Sequence, residues 1–482
     1  MSRARIAGKS QSTKTCDKPS KPVTNEQRFR DSIRWLMAED TFQDLKVHGN
    51  TGWVPFELCV LTLMWIWSPA KKLTGAFEEA CAQSRKVIGS VAVSTYQGLA
   101  KALQRWTPKF MPRLQEKLHE LMERVGGRHF KMGRWVAIAA DGSRSTTPRT
   151  VSNEKAFCAK NYGKGQTAKY RKKKSKGMRR RKNERNKPAP QAPQIWITLM
   201  WHMGLGLAWC WKLGPSNSSE RQHVMDLLQT AHFVKNTLFV MDAGFVGYEF
   251  WNAILNRGHH FLVRVGANVR LLTNLGYRTE QKDGIVYCWP QAAMKKKLPP
   301  LKLRLVECLV GTKQMCLLTS VLDESQLTPA EVAKLYQQRW GIELEFRCLK
   351  QTFERRVLRS RTAARALVEL EWSIYAMTVI ELFALKEQML QKSADPHKVS
   401  FAQALAAVRK TLQALGNRSR DIEDLAILLR RSLIDSYERK RPKAARYNPH
   451  TKTKPSCGFP KITVATAEQR QQFKKVNVQH AA

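Results

Sequence analysis

The sequence predicts a mixed α/β protein, with a sheet covered by helices, a helical domain before it and a strand-rich insertion near its end. Three observations carry this. From Asn25 to about Val125, apolar residues recur at three- and four-residue intervals, as in Ile33, Leu36 and Met37 and in Leu114, Leu118 and Leu121, the buried stripe of helices. Short apolar runs then alternate with helical stretches in the order strand, hairpin, helix, strand, helix, strand. Finally, Gly266 to Val321 alternates in strand fashion, with Gly and Pro punctuation, before a long helix opens at Thr328.

In chain order, residues 1–24 are polar and predicted disordered, and 25–130 form the helical domain. Its basic residues Lys101, Arg105, Lys109, Arg113 and Lys117 suit DNA-backbone contact, or equally a solvated helix face. Residues 131–265 begin the sheet. Arg134 to Ala140 is a strand ending at Asp141-Gly142-Ser143, and residues 149–193 form a basic insert. Twelve Lys or Arg lie between Lys169 and Lys187, followed by Pro188, Pro190 and Pro193. Such a block repels itself and stays disordered until it meets a polyanion.

Gln194 to Leu213 reads as two strands around a Gly204–Gly206 turn. Ser219 caps the next helix, with Gln222 three residues on. Thr237 to Met241 is a buried strand delivering Asp242, a helix spans Tyr248 to Asn256, and Phe261 to Val265 is a further strand. Residues 266–326 form the β-rich insertion. Residues 327–415 resume the sheet-and-helix domain, opening with Thr328 at the N-cap, Pro329 at N1 and Glu331 at N3. Helices are expected from Arg361 to Gln391 and from Phe401 to Leu412. Residues 416–482 are a basic C-terminal segment, loosely ordered from Ser436 on.

Composition narrows the function. Lys and Arg number 83 against 39 acidic residues, a formal charge of +44. A polyanionic partner accounts for that excess, because cations that neutralise phosphates release condensed counterions. A ribosomal-type structural protein or a membrane-surface binder are the other readings of charge alone. The apolar run Leu58 to Trp67 is far short of the roughly 20 residues that span a bilayer. The start of the chain carries no apolar core of a secretory signal. The ten cysteines are scattered, without a CxxC pair or metal-like spacing, and read as reduced thiols rather than zinc ligands. His202, His223, His259 and His260 have no nucleophile pattern beside them and read as structural or surface residues.

Asp141 and Asp242 each close an apolar strand and precede a Gly-containing turn. Were those strands parallel neighbours, both carboxylates would emerge at one sheet edge, where open α/β sheets bind ligands. Alone, each is equally a turn-forming aspartate. Within YQQRWGIELEFRCLK, however, Tyr336, Arg339, Glu343 and Lys350 fall within roughly 60° of one another on a helix of 3.6 residues per turn. One carboxylate flanked by two cations and a phenol, with two strand-end aspartates, is the set that two-metal phosphodiester chemistry needs: hard oxygen ligands for Mg²⁺ and cations for neighbouring phosphates.

The pattern Tyr336-x2-Arg339-x3-Glu343-x6-Lys350 closely resembles the signature of the insertion-sequence-four family of DDE transposases. The flanks RWGIELEFRCLK and LRSRTAARALVELEWSIYAM resemble it too, as do IAADGS and VMDAGF around the aspartates. The resemblance covers about Trp135 to Leu382 and implies an RNase H-like catalytic domain interrupted by a β-rich insertion. It further implies that Asp141, Asp242 and Glu343 hold two catalytic Mg²⁺ ions, with Mn²⁺ a plausible substitute, and that Tyr336, Arg339 and Lys350 contact phosphates near the transposon end. In relatives a Trp of the insertion stacks on a flipped base. Trp289 is the candidate here, with a core role the alternative. The expected activity is cut-and-paste transposition by a homodimer on double-stranded DNA, with a hairpin intermediate on the excised ends. Its DNA partners are the terminal inverted repeats and the target. The expected setting is the bacterial cytoplasm, at the nucleoid when DNA-bound, without a membrane. A catalytically inactive or recruited DNA-binding protein, and an RNase H-like nuclease without strand transfer, are the alternatives.

Overall fold

The computed structural model describes residues 24–37, 39–48, 51–158, 192–276, 284–311, 313–391, 394–416, 423–435 and 457–480. Among the described residues, four α-helices form the N-terminal part: α1 (Asn25–Leu36), α2 (Pro55–Trp67), α3 (Leu73–Ile88) and α4 (Tyr96–Gly126). Thr24 and Thr95 accept hydrogen bonds from the Gln27 and Gly98 amides, satisfying orphan donors at the first turns of α1 and α4. Helix α2 is apolar all round and almost wholly buried, as a helix at the centre of a core must be.

Among the described residues, ten strands form one sheet in the order β10-β6-β7-β8-β9-β5-β4-β1-β2-β3. They are β1 (Val136–Thr146), β2 (Gln194–His202), β3 (Leu207–Pro215), β4 (Thr237–Met241), β5 (His260–Val265), β6 (Arg270–Thr273), β7 (Ile285–Cys288), β8 (Leu301–Val310), β9 (Lys313–Thr319) and β10 (Lys461–Val464). Strands β1, β4 and β5 are parallel neighbours, and β2 and β3 return antiparallel beside β1. Val136 to Ala140 and Thr237 to Met241 are buried at every position, as expected of parallel strands covered on both faces.

The remaining described helices are α5 (Val151–Phe157), α6 (Glu220–Thr230), α7 (Tyr248–Leu255), α8 (Gln291–Lys295), α9 (Pro329–Gln338), α10 (Gly341–Arg347), α11 (Ala363–Gln388), α12 (Phe401–Ala414), α13 (Leu425–Arg430) and α14 (Ala467–His480). Helix α11 is buried from Trp372 to Leu385 and joins the N-terminal helices to the sheet. Trp67 Nε1 donates to the Ala376 carbonyl at 3.0 Å, and the buried Arg355 donates to the Ile66 carbonyl at 3.1 Å and to Ser373 Oγ at 2.7 Å.

The structure departs from expectation in four places. The strands of residues 266–326 do not stand apart: β9 pairs antiparallel with β5, so they extend the main sheet and cover an edge that would otherwise be bare. The C-terminal segment is ordered over 457–480. There β10 pairs in parallel with β6, and α14 buries Phe473 against Trp289. Residues 151–157 of the basic insert form α5, which buries Asn153 and Phe157; Asn153 Nδ2 bridges the Pro148 and Ser360 carbonyls. Lastly, the long helix predicted from Thr328 is broken. Its capping box on Thr328 and Glu331 stands, but the chain tightens at Arg339 and Trp340 and widens into a π-turn over Cys348–Thr352. The polar start (residues 1–23) and the Lys169–Lys187 block lie outside the described residues.

One buried acid pair gives a stability prediction. Burial pushes the Glu345 carboxyl up to about 8 and the Glu381 carboxyl well above the usual carboxylate range. A carboxyl raised in the folded state contributes stability below its unfolded pKa and loses it as pH rises through the folded one. Glu381→Gln removes that loss. The variant is expected to melt several degrees above the parent at pH 9, with a smaller gap at pH 5, measured by calorimetry at both pH values.

Candidate active site

Strand β4 ends at Met241, level with Ala140, whereas β1 runs on to Thr146. Asp141 and Asp242 therefore stand side by side at the mouth of the gap between two parallel strands, the crevice that open α/β sheets use for ligands. Neighbouring strands lie about 4.8 Å apart, which fixes the separation of the two backbones. Each carboxylate is steadied locally: Asp141 Oδ1 accepts from the Gly142 amide at 2.8 Å, and Asp242 Oδ1 accepts from the Gly244 amide at 2.7 Å.

Residues alternate between faces along a strand, so Ala139, Asp141 and Ser143 share one face of β1. Helix α10 packs on that face. Trp201 is the register partner of Ala139, and its ring fills the space a side chain on Gly341 would need: an added Cβ would lie 2.2 Å from Cη2. Gly341 is thus the point at which the broken helix closes onto the sheet. Two residues later comes Glu343, on whose carboxyl the Asp141 and Asp242 charges bear. Arg339 Nη2 lies 3.7 Å from Glu343 Oε1, and Lys350 Nζ donates to Ser143 Oγ.

The electrostatics match a crowded anionic site. Burial raises the Asp141 carboxyl, opposed by the Gly142 amide and Arg339, with the Asp242 charge adding to the rise. Burial also raises Glu343, opposed by Arg339 and reinforced by Asp141 and Asp242. Lys350 is lowered by burial and by Arg356, and the Asp141 charge partly restores it. Arg339 is 9% exposed and its Nε has no hydrogen-bond partner among the described residues. Tyr336 is buried, with the Arg339 guanidinium 5.5 Å from its ring centre. Trp340 and Leu344 are exposed beside Glu343, at 56% and 43%.

The structure thus gathers Asp141, Asp242, Glu343, Arg339, Lys350 and Tyr336 at one sheet edge. Trp289 is elsewhere. It is 3% exposed, donates to the Leu298 carbonyl at 2.8 Å and packs edge-on against Phe473, a core residue in this conformation. His202 is buried and His223 lies 2.9 Å from Thr198 Oγ1, both within the fold. Glu220 was not singled out in the sequence, where it is an ordinary acid in the first turn of a helix. Its carboxyl is pushed up to about 7, by burial first and then by the Asp141 and Asp242 charges.

The acids fit divalent cations as hard oxygen donors whose mutual repulsion a cation would relieve. Among the described residues, no group of three or more His, Cys, Asp or Glu side chains is placed to hold a metal ion by itself. Mg²⁺ asks for only one or two carboxylates, filling its shell with water and phosphate oxygens.

The family model of the transposase DDE domain matches residues 136–379, just over half of the chain and the stretch that carries all three acids. The chain belongs to the DDE transposase family. It is 26% identical over 294 residues to the transposase InsG for insertion sequence element IS4 of Escherichia coli (strain K12), a match covering 58% of this chain. The chain spans 60% of the length of that relative. Among solved structures it resembles the cryo-electron microscopy structure of a piggyBac transposase synaptic complex with hairpin DNA. That likeness has 11% identity and a TM-score of 0.37, over 85% of this chain and 84% of that one. No described helix of this DDE transposase is long and apolar enough to cross a membrane.

Proposed function

We propose that this protein cuts the ends of its own mobile element and joins the freed 3′-hydroxyls to target DNA. Asp141, Asp242 and Glu343 would hold two divalent ions, Mg²⁺ or in its place Mn²⁺. One observation carries the reading: two aspartates emerge level from adjacent parallel strands, and a glutamate on the helix packed over them feels both charges. When bound, the ions supply an activated oxygen nucleophile and stabilisation of the leaving oxygen. The protein orients the rest. Arg339, Lys350 and Tyr336 contact phosphates beside the scissile bond, and the preset positions of the two cations lower the cost of stabilising developing charge. The order β3-β2-β1-β4-β5 supports an RNase H-like core, with 266–326 inserted before the helix that bears Glu343. The +44 charge supports a DNA partner, and family membership supports action as a dimer across two ends, as well as a setting at the nucleoid.

Product analysis tests this. The substrate is the DNA flanking the coding region, where short inverted repeats bounded by direct duplications are expected. Incubated with a labelled repeat end, a supercoiled target and Mg²⁺, the protein should yield joined DNA. Nicked strands alone would make it a nuclease without strand transfer. Binding should weaken steeply as salt is raised, because each neutralised phosphate contributes roughly 0.9 to the logarithmic slope.

A further inference from the structure

Opposite Asp141, on the other face of β1, lies an acid that the proposed chemistry does not use. Gly142 and Arg144 share that face, and α6 packs against it through its N-terminal end, where Ser219 is the N-cap. The Glu220 carboxylate rests directly over Gly142. A Cβ on Gly142 would lie 2.2 Å from Glu220 Oε1 and 2.7 Å from its Cδ. The residue after Asp141 must therefore lack a side chain for Glu220 to occupy its place.

Glu220 makes no hydrogen bond or ion pair among the described residues, and the cation whose charge bears on it is Arg144, which stacks on the Trp196 ring at 4.3 Å. Three acids already crowd this edge. A fourth brought against them without a partner raises the repulsion, and an ordinary first-turn acid could sit in solvent instead. The last pair between β1 and β4 is Ala140 with Met241, so beyond it no β4 residue stands between Glu220 and the Asp141 and Asp242 charges that bear on it.

We propose that Glu220 is a fourth carboxylate of the site, a positioning residue that accepts a hydrogen bond from water on the cation held by Asp141 and Asp242. Outer-shell acids of this kind orient the bound water and strengthen the metal's hold. This rests on the metal-binding reading of Asp141 and Asp242. It also gives the Asp141-Gly142 dipeptide a reason: the aspartate supplies one face and the glycine admits an acid from the other.

The test is Mn²⁺ affinity of the full chain, measured by calorimetric titration or electron paramagnetic resonance without DNA turnover. Glu220→Gln keeps the shape and removes the charge. It should weaken Mn²⁺ binding about 10–100-fold, while the melting temperature without metal holds or rises as like charges separate. Glu220→Ala, which leaves no new contact, should weaken Mn²⁺ equally and serves if the Gln variant does not fold. Unchanged Mn²⁺ affinity in Glu220→Gln, alongside lost affinity in Asp141→Asn, overturns this role and leaves the proposed function standing. Unchanged affinity in both variants overturns the metal centre itself. A lowered melting temperature with unchanged Mn²⁺ affinity would make Glu220 a helix-capping acid and nothing more.

Discussion

Asp141→Asn, Asp242→Asn and Glu343→Gln should each abolish cleavage of a transposon end while leaving DNA binding within a few-fold of the parent. Each substitution keeps the side chain's size and removes only the negative oxygen. The loss should exceed the roughly 10²–10³-fold that removing a single electrostatic donor costs, since a lost ligand would weaken the hold on the two ions that together would serve the attacking and leaving oxygens. Binding survives because phosphates are held by the basic surface of a +44 chain. Removing an acid from this edge should tighten non-specific DNA binding slightly. Single-turnover cleavage and gel-shift titration on the same labelled end separate the two effects. Full cleavage by any one variant in Mg²⁺ would remove that acid from the centre.

Gly341→Ala should cost nearly as much without touching an acid. The new methyl would stand 2.2–3.1 Å from three ring carbons of Trp201, and the ring is buried with little room to yield. Overpacking of this kind typically costs about 1–3 kcal/mol. Its larger effect is on geometry. Helix α10 must lift from β1, carrying Glu343 two residues away, and a displacement of about 1 Å can lower a rate 10²-fold. The fall should appear in kcat with DNA affinity preserved. Trp201→Leu opens space beneath position 341, so the double variant should recover a good part of the lost rate. Residues in contact are expected to be non-additive in this way. Additive losses in the two single variants would show that α10 is not seated on Trp201 in the working enzyme.

The two aspartates were legible because a buried parallel strand leaves a short, uninterrupted apolar run, as in RWVAIAA and TLFVM, and a Gly-containing turn marks where each one stops. Glu343 was legible by its spacing from Tyr336, Arg339 and Lys350. The break in that helix was not, because its cause is Trp201, distant in sequence and brought beneath Gly341 only by the pairing of β1 with β2. Local periodicity carried no sign of it, although a glycine inside a helical run costs about 1 kcal/mol and asked for a reason. Strand β10 escaped notice because four exposed residues, KITV, follow a basic stretch and gain their order from the open edge of β6. Glu220 has no signal of its own. Its meaning depends on Gly142, which sits across the sheet from α6 and reads, in isolation, as a turn residue.

The fold thus spreads the proposed site over three separate stretches of chain, and each contributes a single acid. Arg339, just after α9, and Lys350, in the π-turn after α10, sit close enough to temper the repulsion without cancelling it. Such a site should be inert until a divalent ion completes it. The most direct measurement is cleavage of a labelled transposon end by the unaltered protein across a Mg²⁺ titration, with Ca²⁺ and with chelator alone. Cutting and joining are expected to rise with Mg²⁺, to be absent in chelator, and to give way in Ca²⁺ to binding without cutting. Cleavage that proceeds at the same rate in chelator would contradict a metal centre built on Asp141, Asp242 and Glu343.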